Sequence, residues 1–147
     1  MNKKKLIILV VVLAIIFIGV IFFIIYNKDS NKLKRYLKEE GYNCNSSICT
    51  KVDQNIQYQV NYKIGTYRYE DSEIVIDINN ERTTVDVAKG ATKVCTFNKS
   101  GVKNLTSFTE DDTSTNCLIY LEKVNREVES FKKILVKSGA DIAKLSK

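Results

Sequence analysis

Three residue types are missing from this chain of 147 residues: histidine, tryptophan and proline. Without histidine, the chain cannot form a Ser-His-Asp triad, a Cys-His nucleophile or a histidine-ligated zinc or haem site. Without tryptophan, it lacks the best stacking residue for sugars and quaternary amines. Without proline, it has no proline-rich linker or ligand motif. These absences exclude many enzyme classes, and they favour a non-enzymatic function without a cofactor.

The positive charge of the chain is unevenly distributed. The formal net charge is +6, and three of the positive charges are Lys3, Lys4 and Lys5, directly before a hydrophobic run. From Lys28 onward, 20 basic residues accompany all 17 acidic residues. A nucleic-acid-binding protein would instead cluster basic residues on its folded domain. The basic N-terminus therefore indicates a targeting signal, and we expect no nucleic acid as a partner.

Leu6 to Tyr26 is an uninterrupted run of 21 residues without a charge. At 1.5 Å per residue, a helix of this length spans roughly 31 Å, which is about the thickness of a hydrocarbon core. The run is longer than the apolar part of a secretory signal, and no small-x-small cleavage site follows it. We therefore predict a retained transmembrane anchor over residues 6–26, in direct contact with the lipid bilayer.

Charge alone does not decide the orientation of this anchor. The three lysines before it favour a cytoplasmic N-terminus, but Lys28, Lys32, Lys34, Arg35 and Lys38 follow it closely. The cysteines decide the matter, because all four lie downstream of the anchor, and an even set in one small domain indicates disulfides in an oxidising compartment. The predicted organisation is a cytoplasmic tip (1–5), the anchor (6–26) and an extracytoplasmic domain (27–147) at the cell membrane.

The four cysteines allow three disulfide connectivities. We favour Cys44–Cys49 together with Cys95–Cys117, because the first pair closes a short loop directly after a predicted helix. The alternative is a zinc site made by all four cysteines in a domain that faces the cytosol. The 21 residues between the second pair form no zinc knuckle, however, and the chain has no C-x-x-C motif typical of redox proteins. We predict no metal site.

Two amphipathic helices are predicted outside the membrane. The first covers residues 30–40, with Asp29 or Ser30 as its N-cap. The second follows a polar loop at 100–115 and ends at Gly139. Asp112, Thr113 or Ser114 caps this long helix, and its apolar stripe is Cys117, Leu121, Val124, Val128, Phe131 and Leu135.

Between the two helices, the hydrophobic period changes from helical to alternating. Gly65 and Asn79-Asn80 supply turns between the alternating segments. These segments are 56–64, continued by Tyr67 and Tyr69, then 74–78, 82–87 and 94–97. Consecutive strands with short turns predict an antiparallel meander of four to five strands. The predicted fold class is α+β, with the long C-terminal helix packed on the sheet.

Tyr58, Tyr62, Tyr67 and Tyr69 form the candidate binding group of the predicted sheet. They would suit a platform for a glycan or a peptide. Tyrosines at strand spacing also pack beneath helices or pair across strands, and this purely structural role is the alternative. No pair of carboxylates or nucleophile stands out, so we identify no catalytic residue.

The layout of a basic tip, one membrane helix, an amphipathic helix and a sheet is similar to that of pilins. Pilins resemble one another through a processing site ahead of the hydrophobic segment and a glutamate near its start, and Leu6 to Val10 contains neither. We therefore expect a membrane-anchored domain with a binding or structural role at the cell surface, whose partner is a surface protein or the cell wall. A pilin-like or secretion-machinery component is the first alternative, and the cytosol-facing zinc protein is the second.

Overall fold

The computed structural model describes residues 3–70, 73–78, 82–101 and 105–145. Its helices are α1 (Lys3–Asn27), α2 (Asp29–Glu39), α3 (Leu121–Ser138) and α4 (Ile142–Leu145), and two short 3₁₀ segments, Glu110–Asp112 and Thr115–Tyr120, precede α3. The strands are β1 (Asn43–Asn45), β2 (Ile48–Asp53), β3 (Ile56–Asn61), β4 (Thr66–Tyr69), β5 (Ile74–Ile78), β6 (Arg82–Lys89) and β7 (Thr92–Ser100). The predicted turn at Asn79-Asn80 lies outside the described residues.

The N-terminal helix α1 stands apart from the rest of the molecule. None of the residues in Lys3–Asn27 is buried, although the helix is strongly apolar, and it is long and apolar enough to cross a membrane. Apart from its last two turns, which contact α2, its side chains thus have no protein surface to pack on. The predicted apolar helix is present, and it begins slightly earlier than the uncharged run.

The seven strands form one antiparallel sheet in the order β1-β2-β3-β4-β5-β6-β7, so that each strand pairs with the next one along the chain. The predicted α+β class and meander are confirmed, but the predicted number of strands was too low. The missed strands are β1 and β2. They lack the apolar alternation of a half-buried strand, because β1 reads Asn-Cys-Asn and β2 leaves Ile48 and Val52 exposed.

One face of the sheet forms the core with α2 and α3. A row of buried residues crosses strands β2 to β7 on this face: Cys49, Val60, Tyr67, Ile76, Val85 and Phe97. Leu33 and Leu37 of α2 and Val128 and Phe131 of α3 are buried in the same core. Burial of one such side chain contributes roughly 1.5–3 kcal/mol, so this two-layer packing is the main stabilising interaction of the domain.

The first predicted N-cap is wrong. Lys28 occupies the N-cap position of α2, without a side-chain cap hydrogen bond. The Asp29 carboxylate instead accepts a hydrogen bond of 2.8 Å from the backbone N–H of Asp141, just before α4. The reason is that α1 ends at Asn27, so only one residue separates the two helices. The short connection leaves no room for a separate capping turn.

The start of the long helix also differs from the prediction. The chain first forms the 3₁₀ segment Thr115–Tyr120, which carries the buried Cys117, and only then continues as α3. Ser114 is at the N-cap of that segment but makes no cap hydrogen bond with its side chain. Asp112 belongs to a capping box with Thr109, around the preceding 3₁₀ segment. The predicted end is correct, since Gly139 has the left-handed backbone with φ of 65°.

The first alternating segment is shorter than predicted. Strand β3 ends at Asn61, and the chain turns through Gly65 before β4. As a result, Ile64 does not continue the buried face and is 52 % exposed. Asn61 holds this turn, because its side-chain oxygen accepts hydrogen bonds from the backbone N–H groups of Lys63 and Ile64.

Candidate functional site

The four cysteines form two disulfides, in the pairing that the sequence favours. Cys44–Cys49 joins β1 to β2 with an S–S distance of 1.99 Å, and Cys95–Cys117 joins β7 to the 3₁₀ segment before α3 with 2.13 Å. Each bond therefore fixes a junction between neighbouring elements. A four-cysteine zinc site would require both bonds to be broken. Among residues 3–70, 73–78, 82–101 and 105–145, no group of three or more Cys, Asp and Glu side chains is arranged to hold a metal ion.

Three of the four predicted tyrosines lie together. The Tyr58 ring centre lies 6.5 Å from that of Tyr67 and 5.6 Å from that of Tyr69. Tyr67 is buried and stacks on Phe131 of α3, with 5.1 Å between ring centres. These contacts arise from the sheet register, which places Tyr58 opposite Tyr69 and Val60 opposite Tyr67. The cluster therefore packs between the sheet and α3.

The fourth tyrosine, Tyr62, has different neighbours. It is buried just after the end of β3, and its hydroxyl donates to the carbonyl oxygen of Ser46 in the β1–β2 turn. The ammonium of Lys34 in α2 lies 5.1 Å from the centre of its ring. The predicted tyrosine platform is thus divided, and Tyr58 and Tyr69 are its partly exposed members.

Glu127 of α3 is the polar partner of the tyrosine cluster, and the sequence did not identify it. The Tyr67 hydroxyl donates a hydrogen bond of 2.9 Å to its carboxylate, which is buried. Burial raises the pKa of Glu127, because a charged carboxylate is poorly solvated there. The pKa of Tyr67 is also raised, by burial and by the neighbouring Glu127 carboxylate. The sequence could have indicated its burial, because Glu127 lies between Val124 and Val128 on the buried side of the helix.

A second polar group borders this cluster at the solvent edge. The Lys123 ammonium of α3 lies 2.7 Å from a carboxylate oxygen of Glu73 and 3.6 Å from one of Glu70. It also lies 5.5 Å from the centre of the Tyr69 ring. Burial, followed by the hydrogen bond to Glu70, raises the pKa of Tyr69 to about 12. This hydroxyl therefore stays protonated at neutral pH, and the group links α3 to the β4–β5 connection.

The opposite face of the sheet presents polar side chains in register. One cross-strand row on this face consists of Asn43, Thr50, Gln59, Arg68, Val75, Asp86 and Thr96. We call this surface the open face, defined by that row and by the neighbouring residues Asn61, Thr84 and Asn98. Its side chains are half-buried or exposed, and they supply amide, hydroxyl and charged groups that donate and accept hydrogen bonds.

Two depressions mark the open face and its margin. The first has a volume of about 190 Å³ and is lined by Gln59, Asn61 and Arg68 together with Ile48, Ile64 and Thr66. The second, of about 560 Å³, lies beside the Cys95–Cys117 disulfide, between β7 and the segment 111–117. The second is open and lined largely by polar groups, which suits contact with a polar partner better than enclosure of a small apolar ligand, whereas Ile48 and Ile64 give the first a partly apolar lining.

No protein-family model, no curated protein and no solved structure matches this chain. Its function is therefore inferred from three features of the molecule itself: the unburied apolar helix α1, the two disulfides and the polar open face of the sheet.

Proposed function

We propose that this chain is a single-pass membrane protein that holds a non-enzymatic binding domain outside the cytoplasm. The observation that carries this proposal is that α1 has no buried residue although it leads directly into a folded domain. Exposure of so much apolar surface to water is unfavourable, and a bilayer removes it. The two disulfides favour an oxidising compartment for the domain. The N-terminal lysines then lie in the cytoplasm.

The open face supports a binding role for this domain. Its row of Thr50, Gln59 and Asp86 side chains is spread over several strands and is held in place by the sheet. Parts of it are already ordered, since Thr96 donates a hydrogen bond of 2.7 Å to Asp86. An ordered polar surface loses little entropy on binding. We infer that it contacts a polar partner at the cell surface, either a protein or the cell wall.

The described titratable side chains support a non-enzymatic role. Tyr67 and Glu127 contact each other inside the core, and Tyr69 has a raised pKa of about 12, which leaves it protonated. A general base needs a pKa near the working pH and access to a substrate. Neither tyrosine has such a pKa, and Tyr67 also lacks access to a substrate. Their ring contacts explain their presence as packing between sheet and helix.

Topology is tested by labelling lysines on intact cells with a membrane-impermeant amine reagent, followed by peptide mapping. We expect lysines from Lys28 onward to be labelled on intact cells, and Lys3, Lys4 and Lys5 only after lysis. Thiol labelling before and after reduction reports the disulfides in the same sample. Labelling of the N-terminal lysines from outside, or free thiols without reduction, would contradict the proposed orientation.

The binding face is tested by a photo-crosslinking amino acid at Gln59, with the same probe at Lys133 on the exposed side of α3 as the matched control. We expect crosslinks to a defined partner from position 59 and not from position 133. Mass analysis of the product then separates a protein partner from a cell-wall glycan. Equal crosslinking from both positions would argue against the open face as the binding surface.

A further inference from the structure

The last two turns of α1 and the first turns of α2 form a crook, whose lining is almost entirely apolar and whose α2 side carries the two cationic residues Lys34 and Arg35. Its volume is about 250 Å³. Phe22, Ile25 and Tyr26 line it from α1, and Asn31, Lys34 and Arg35 line it from α2. With α1 inserted as proposed, the crook lies where the hydrocarbon core ends and the lipid headgroups begin.

Hydrogen bonds to the end of α1 hold the crook in shape. The last carbonyl groups of a helix have no partner within the helix. Asn31 Nδ2 donates to the Ile25 carbonyl at 2.6 Å, and Arg35 Nη1 donates to the Tyr26 carbonyl at 3.0 Å. The Arg35 guanidinium also lies 3.7 Å from the centre of the Tyr26 ring, which is a cation–π contact. The guanidinium is thus positioned before any ligand binds.

Arg35 retains donors for a ligand. A guanidinium has five N–H groups, and the Tyr26 carbonyl takes one of them. In the part of the chain that the structure describes, no further hydrogen bond or ion pair engages Arg35, and Lys34 makes only its contact with the Tyr62 ring. The segment 28–40 as a whole has five basic residues and three acidic residues, Asp29, Glu39 and Glu40. Asp29 pairs with Lys32, and among the described residues no carboxylate forms an ion pair with Lys34 or Arg35.

We propose that the crook binds the headgroup of an anionic phospholipid from the leaflet in which α1 ends. The planar guanidinium of Arg35 and the ammonium of Lys34 bind the phosphate, while an acyl chain lies along Phe22 and Ile25. This proposal rests on the proposed membrane insertion of α1. It gives Lys34 and Arg35 a role on the extracytoplasmic side of the anchor, where positive charge is normally sparse: they contact headgroups and do not set the orientation.

The test uses the full-length chain in nanodiscs made of equal parts phosphatidylcholine and phosphatidylglycerol. After the protein has been released from the nanodiscs, native mass spectrometry counts the lipids that remain bound to it. We expect the wild-type chain to retain phosphatidylglycerol in preference to phosphatidylcholine. The double variant Lys34→Gln with Arg35→Gln should lower this preference by at least about tenfold. Arg35→Lys should lower it less, because it keeps the charge and loses the planar donor set.

Lys93→Gln is the matched control, because Lys93 pairs with Asp86 on the sheet and lies in neither α1 nor α2. It should leave the lipid preference unchanged. The intact mass, which shows whether both disulfides are formed, and circular dichroism check the folding of each variant. If the double variant misfolds, the single variant Arg35→Gln replaces it. Equal preference in wild type and variant, or no preference in the wild type, would overturn the headgroup site. Failure of the wild-type chain itself to enter nanodiscs would instead contradict the membrane anchor.

Discussion

Glu127 shows how one buried side chain couples stability to pH. It is 5 % exposed, and its carboxylate accepts a hydrogen bond from Tyr67. Because burial raises its pKa in the folded protein, the folded state keeps the proton at pH values where the unfolded chain has already released it. The contribution of Glu127 to the free energy of unfolding therefore falls as the pH rises from the ordinary pKa of a glutamate, which applies to the unfolded chain, through the raised pKa of the folded protein.

Glu127→Gln is expected to remove this dependence. The Gln side chain keeps an oxygen that accepts the Tyr67 hydrogen bond, but it carries no charge to desolvate. The variant should be more stable than wild type by on the order of 1 kcal/mol at about pH 7 and equally stable at about pH 4, where the carboxylate is largely protonated in both states. Thermal unfolding of the full chain in detergent at both pH values measures the difference.

The matched control for Glu127→Gln is Glu129→Gln on the same helix. Glu129 is half exposed and pairs with Lys132 at 3.3 Å, so its charge costs little desolvation. We expect a change within about 0.5 kcal/mol at both pH values. A Glu127→Gln variant that lost more stability at about pH 7 than at about pH 4 would show that the charged form is stabilised in the core, contrary to the direction of its pKa shift.

At the scale of elements, the two disulfides should contribute unequally. Cys44 and Cys49 are separated by 5 positions, and Cys95 and Cys117 by 22. Loop entropy alone then predicts contributions of about 2 and about 3 kcal/mol. Replacing Cys95 and Cys117 by serine should thus lower the denaturant midpoint more than replacing Cys44 and Cys49. The reverse order in guanidinium unfolding would show that the first hairpin depends on its disulfide more than loop length implies.

The elements with a strong hydrophobic period could be predicted from the sequence. The stripe from Val124 to Leu135 is buried along α3, and the alternation at Ile74, Ile76 and Ile78 gives a strand with these side chains in the core. Strands β1 and β2 could not be predicted in this way, because no apolar period specifies them. Their pairing depends on a tight turn, in which Ser46 has a positive φ of 53°, and on a disulfide across the hairpin.

The candidate sites were less predictable, because they depend on contacts between residues far apart in sequence. Tyr67 meets Glu127 across 60 positions, and no local pattern specifies that contact. Tyr62 has a separate environment because β3 ends at Asn61. The sequence did not indicate this end, because apolar and polar residues alternate without a break up to Ile64. The crook depends on the single residue between α1 and α2, so its geometry emerged only with both helices in place.

At the scale of the whole molecule, α1 and the domain are stabilised in different ways. The domain has its own core, which includes Leu33, Tyr67 and Phe131. Helix α1 contributes no buried residue to that core and contacts the domain through α2, where Arg35 and Asn31 bind its last carbonyl groups. Changes in the middle of α1 should therefore alter membrane association and leave the stability of the domain unchanged.

A triple variant separates these two effects: Leu13→Lys, Ile16→Lys and Val20→Lys. Each central lysine disfavours insertion by roughly 3 kcal/mol, while apolar residues favour it by roughly 0.5 kcal/mol each, so three lysines are needed to offset the 21-residue run. The purified variant should no longer float with liposomes, whereas Leu13→Ile, Ile16→Leu and Val20→Ile together should float as wild type does. The unfolding transition of the domain should move by no more than about 0.5 kcal/mol. If the lysine variant unfolded the domain, α1 would be a core helix and not an anchor, because only a helix packed on the protein could transmit that change.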